Sequence, residues 1–87
     1  MSVFSNVVFD GMFVHTAGHG YLQVKCKDVA VVGTKPSSYS PTDGEFIFLE
    51  EDVDATEFMD AVSEMGAGIR IQHTSDPIWE EYIETLW

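Results

Sequence analysis

Glu45-Phe46-Ile47-Phe48-Leu49-Glu50-Glu51-Asp52-Val53-Asp54-Ala55-Thr56-Glu57-Phe58-Met59-Asp60-Ala61-Val62-Ser63-Glu64-Met65-Gly66 is the stretch that decides the fold. It opens apolar on both faces after Glu45, the pattern of a central strand covered on two sides. The period then changes. Asp54-Ala55-Thr56-Glu57 has the spacing of a capping box, with Asp54 as N-cap and Glu57 three positions on. Ala55, Phe58, Met59, Val62 and Met65 follow at helical spacing, and Gly66 stands where a C-terminal glycine cap belongs. Strand into capped helix is the unit around which the rest is arranged.

Outward toward the C-terminus, Gly68 to Thr74 reads as another strand, with Ile69 and Ile71 inward. Asp76-Pro77 supplies an N-cap and a proline at the first helical position. In the helix that follows, Ile78, Trp79, Tyr82, Ile83 and Leu86 share one face, and Glu80, Glu81 and Glu84 the other. Toward the N-terminus, Val3 to Phe9 is rich in strand formers, and Asp10-Gly11 is a favoured hairpin dipeptide with Met12–Thr16 as the returning strand. Ala17-Gly18-His19-Gly20 breaks the run, and Tyr21 to Cys26 alternates as a half-buried strand. Residues 33–44, with two prolines, two glycines and three serines, form a surface loop. The predicted architecture is one α+β domain over 1–87, a mainly antiparallel sheet of four to five strands with two helices in the C-terminal half.

Composition bounds the function. Eighty-seven residues, 45% hydrophobic and 13% aromatic, make a small globular core, and no apolar run is long enough to cross a bilayer. One cysteine, and an N-terminus without a basic region followed by an apolar stretch, point to a reducing cytoplasm. The formal net charge is −11, unevenly placed: residues 1–42 carry +1, residues 43–87 carry −12, and no lysine or arginine occurs from Asp43 through Ile69. Such a chain repels nucleic-acid phosphates and anionic lipid, so its expected partner is a basic protein surface rather than nucleic acid or membrane.

Glu50, Glu51, Asp52 and Asp54 cluster where the strand ends and the helix starts, and Glu57, Asp60 and Glu64 continue along the helix's polar face. Like charges at i, i+3 and i+4 repel; a solubilising face is the plainer reading of these acids, although such a face normally intersperses lysines. With Glu80, Glu81 and Glu84, these acids are candidates to stand in for phosphates, which B-DNA carries at about one per 1.7 Å of axis. Trp87, at a crowded aromatic end with Trp79 and Tyr82, is the candidate interface anchor.

Catalytic chemistry has little to stand on, and neither a metal nor another cofactor is expected. Asp52-x-Asp54-x-Thr56 begins like a calcium loop, but Glu57 and Ser63 occupy its glycine and bidentate-acid positions. His15, His19 and His73 would have to converge with carboxylates to hold zinc, and a histidine beside a glycine-rich turn serves equally well to hold that turn. Cys26 reads as a structural cysteine within a strand, with no elbow or helix N-terminus beside it.

His15-Thr16, His19-Gly20-Tyr21-Leu22-x-Val24 and Leu49-Glu50-Glu51-Asp52-x-Asp54-Ala55 resemble segments of small uncharacterised proteins encoded by phages and other mobile elements. The resemblance spans about residues 15–55 and implies a context rather than an activity. In size and charge the chain is similar to anti-CRISPR and anti-restriction inhibitors. The expectation is therefore an acidic inhibitor that blocks the nucleic-acid channel of a host enzyme or CRISPR effector. Alternatives are an adaptor anchored by the C-terminal aromatics and a small metal-dependent enzyme.

Overall fold

The structure, a computed structural model, describes residues 3–87; Met1 and Ser2, which begin the N-terminal stretch read above, lie outside it. Seven elements follow in order: β1 (Val8–His15), β2 (Gly20–Lys25), α1 (Cys26–Val32), β3 (Phe46–Glu50), α2 (Asp54–Glu64), β4 (Gly68–Thr74) and α3 (Pro77–Glu84). The four strands make one sheet in the order β3-β2-β1-β4. The β1–β2 and β2–β3 pairs are antiparallel, and β4 returns parallel to β1. The class is α+β, with a mixed sheet and three helices.

The N-terminal hairpin exists, but Asp10-Gly11 is not its turn. Both residues lie within β1, because each is claimed by a neighbour. The Asp10 carboxylate meets Arg70 directly across the parallel pair, at 3.0 Å. Gly11 is overhung by β2: a Cβ there would meet Leu22 Cδ1 at 3.0 Å. The chain instead reverses at Thr16–His19, where the Thr16 amide and hydroxyl both donate to the His19 carbonyl, at 2.9 and 2.7 Å. Residues 3–6 form a turn ahead of β1 rather than part of a strand.

Cys26 begins α1 rather than ending a strand, so the first half is not wholly β. Three valines in this segment signal strand by propensity. Tertiary packing overrides that signal: Val29 is buried in the core, Val32 packs against it, and Gly33 closes the helix at φ 88°. The start of α2 is also shifted from the capping-box reading. Val53 occupies the N-cap position, and Asp54 is the first helical residue, buried. Gly66 (φ 81°) and the Asp76–Pro77 start of α3 are as the sequence predicts.

β3 is an edge strand, not a central one, yet it is covered on both faces and along its outer edge. Residues 41–43 run beside it, with the Phe48 amide donating to the Pro41 carbonyl at 2.9 Å and the Asp43 amide to the Phe46 carbonyl at 3.1 Å. Alternation then sorts the core into two layers. Phe9, Leu22, Val24 and Leu49 face α1 and α2, where Val29, Ala55, Phe58 and Val62 complete the cluster. Val14, Tyr21 and Phe48 face the opposite way and are covered by Ile83 of α3, with Trp79 and Leu86 packed around them. The short α3 covers only part of this second face, leaving Asp10, Gln23, Lys25, Arg70 and Gln72 along an open groove.

Candidate functional site: an acidic and aromatic patch at one end of the sheet

The register of β2 and β3 places Tyr21 opposite Glu50, on the face that α3 covers. Glu80 and Glu84, one turn apart on α3, project toward the same tyrosine, about 6 Å apart along the helix axis. Burial, and then the carboxylates of Glu50, Glu80 and Glu84, push the Tyr21 hydroxyl above its ordinary pKa. Two shallow hollows sharing His19, Tyr21 and Trp87 join these groups into one patch. One is rimmed by Glu80 and Glu84, the other by Tyr39, Glu50 and Asp52. Trp87 is 61% exposed and Tyr39 70% exposed, so the patch carries open aromatic surface beside its carboxylates.

The acids named from the sequence divide among five environments. Glu50, Asp52, Glu80 and Glu84 gather at this patch with Trp87. Glu50 is half-buried and also structural: its carboxylate accepts from the Asp52 and Val53 amides at 2.8 and 3.2 Å, holding the turn into α2. Glu51, the next residue, points to the other side of the sheet, over Gly20 and the Phe13 ring. Glu57, Asp60 and Glu64 are exposed on α2, which packs on the opposite face of the sheet from α3. Glu81 is exposed and lines neither hollow.

Asp54 leaves the contact set altogether, with 4% of its surface accessible. One carboxylate oxygen accepts from the Ser37 amide at 2.8 Å, the Ser37 hydroxyl at 2.7 Å and the Ser40 hydroxyl at 2.5 Å. Burial pushes its pKa up, but the Ser40 and Ser37 donors outweigh burial and hold it below the usual carboxylate value. Ser40 also accepts from the Glu50 amide at 2.8 Å. Asp54 therefore pins the loop at residues 33–44 to the end of β3 and the start of α2, which sets the position of Tyr39 at the patch.

Asp43 performs a similar service from the other end of the loop. It accepts from the Tyr82 hydroxyl at 2.6 Å and from the Phe46 and Glu45 amides at 2.8 and 2.9 Å. These bonds, the Tyr82 one foremost, lower the Asp43 pKa, and the same bond raises that of Tyr82. The exposed side of α3 is thus tied to the loop.

Of the three histidines, two meet. His15 Nε2 lies 3.0 Å from His73 Nδ1 and the rings stack, 5.2 Å between centroids, beside Phe13. His19 stands apart, 6.4 Å from the Tyr21 ring; its backbone, not its imidazole, bonds Thr16 to hold the turn. Among the described residues no group of three or more His, Cys, Asp or Glu side chains is placed to hold a metal ion. Cys26 sits in the first turn of α1, correcting its placement in a strand, and its Sγ lies 3.3 Å from the Thr42 hydroxyl.

Sequence reasoning did not find Tyr21, Tyr39 or His19 as members of the patch. The signal for Tyr21 would have been the β2–β3 register, which depends on long-range pairing. No helix of the described residues is long and apolar enough to cross a membrane. No family model, curated protein or solved structure matches the chain, so the functional reading rests on its own residues.

Proposed function

We propose that this chain is an acidic inhibitor-type protein whose Tyr21–Trp87 patch docks onto a basic surface of a nucleic-acid-handling protein, with carboxylates taking the place of phosphates. The observation that carries the reading is the gathering of Glu50, Glu80 and Glu84 around the buried Tyr21 ring, flanked by exposed Trp87 and Tyr39. Carboxylates beside aromatic anchors supply both electrostatic steering and desolvated contact area. Two of the four bases, Lys25 and Arg70, line the open groove at the other end of the same sheet face. A host enzyme of DNA or RNA defence, such as a CRISPR effector or a restriction enzyme, has the kind of lysine- and arginine-lined channel this patch suits.

The test is a pull-down from host lysate on the immobilised protein, eluted by a salt gradient and read by mass spectrometry. Release of a nucleic-acid enzyme at moderate salt is the expected result, since a contact dominated by charge is screened within about 10 Å at 0.1 M salt. The double variant Glu80→Lys/Glu84→Lys should abolish that capture, whereas Glu57→Lys/Asp60→Lys on α2 should weaken it less. Glu50 is a poor choice for charge reversal because it holds two backbone amides. Capture that resists salt and survives the Glu80/Glu84 variant but fails with Trp87→Ala would replace the mimic with an aromatic-anchored adaptor.

A further inference from the structure

The two edges of the sheet are treated differently. The outer edge of β3 is closed by residues 41–43. β4 forms the other edge, and among the described residues its backbone is bonded only toward β1. The Gly68 amide donates to the Val7 carbonyl at 2.9 Å, so Gly68, Arg70, Gln72 and Thr74 direct their backbone groups to β1. By alternation, Ile69, Ile71 and His73 direct their amides and carbonyls outward. Edges left open to solvent are normally blunted by lysine, proline, a bulge or shortness. β4 has none of these: it runs seven residues, and its single charge, Arg70, is already paired with Asp10.

Charge identifies the occupant. Residues 65–75 contain no acid, in a half of the chain that otherwise carries thirteen. A basic partner gains nothing from that stretch. A second copy of this chain, whose β4 is equally free of acids, can approach strand to strand without setting carboxylate against carboxylate there. The row is also self-complementary. A two-fold axis at Ile71 sets Ile71 against its own mate and Ile69 against His73 of the second copy, with about six N–H···O=C bonds between the strands. Ile69 and Ile71 already pack on the core under α2, so the pairing prolongs that apolar layer across the junction. We infer that β4 is a homodimerisation edge, pairing antiparallel with β4 of a second copy to make one continuous eight-stranded sheet.

Sedimentation velocity of the full chain, from about 10 µM to 1 mM in low and high salt, tests this by mass action. The expected result is a mass that doubles with concentration, and a dimer that strengthens with salt because screening relieves the repulsion between two chains of net charge −11. That salt dependence is opposite in sign to the partner binding proposed above, so either reading can fail without the other. Ile71→Lys places two ammonium groups face to face and should weaken the dimer at least about tenfold. Hydrogen exchange on the unmodified chain is the second readout, should that variant fold poorly. The Ile69, Ile71 and His73 amides should gain protection as the dimer forms, while those of Arg70 and Gln72 stay protected throughout. A chain that remains monomeric at every salt and concentration, with those three amides exchanging freely, overturns the inference. So does protection of the edge that needs a protein of different sequence.

Discussion

Replacing Asp54 by alanine separates its structural role from the surface role that its place in an acidic run implies. The carboxylate oxygen accepts three hydrogen bonds from Ser37 and Ser40. Bonds to an ionised acceptor contribute about 1.5–3 kcal/mol each when their donors have no other partner. The two Ser37 donors belong to an exposed residue and regain water, whereas the Ser40 side chain is buried. The expected loss is therefore about 2–4 kcal/mol, rather than three full bonds. Against a total stability of roughly 4–13 kcal/mol for a chain of this length, that is a large fraction. It corresponds to a fall in Tm of roughly 10–25 °C.

The pH dependence adds a second signature. Because the folded pKa of Asp54 is depressed, its contribution is complete above the unfolded value of about 3.9. It is lost as pH falls through the folded value. The stability gap between wild type and Asp54→Asn should thus be constant near neutrality and close in acid. Thermal melts followed by circular dichroism from pH 7 downward, with hydrogen exchange of the Ser37 and Glu50 amides, measure both effects. A melt within about 3 °C of wild type, with unchanged exchange in the loop, would refute the reasoning, since it corresponds to less than about 1 kcal/mol.

Gly20→Ala should destabilise the hairpin end by about 1–3 kcal/mol, because the added methyl meets the Phe13 ring and Glu51 Oε2 at 2.6 Å; chemical denaturation reads the loss. Phe48→Ala and Phe58→Ala, one in each core layer and both fully buried, should each cost about 3–5 kcal/mol in the same assay. The Tyr21 and Tyr82 hydroxyls should titrate above the ordinary tyrosine value by NMR, Tyr82 returning toward it in Asp43→Asn and Tyr21 in Glu80→Gln/Glu84→Gln. Both folded values are raised, so their contribution to stability is whole below the unfolded value near 10 and disappears as pH rises through the folded ones.

Local chemistry alone marked out the C-terminal half. The apolar run Phe46–Leu49, the helical spacing from Ala55 to Met65, Gly66, and Asp76–Pro77 each correspond to an element or its end, because they act over a few residues of backbone. The net charge and its concentration after Asp43 are likewise properties of the chain as written.

Tertiary structure decided everything that depends on distant partners. Asp10-Gly11 reads as a turn until Arg70 and Leu22 occupy the space on either side of it. The valines of α1 read as strand until Val29 finds a place under the sheet. Asp54 and Glu51 read as one acidic surface with Glu50 until burial beside Ser40 removes the first and strand alternation turns the second away. The patch itself, with Tyr21 among Glu50, Glu80 and Glu84, joins residues up to 63 positions apart. Neither spacing nor propensity encodes such a juxtaposition, because it is set by strand register and by which face of the sheet each helix covers.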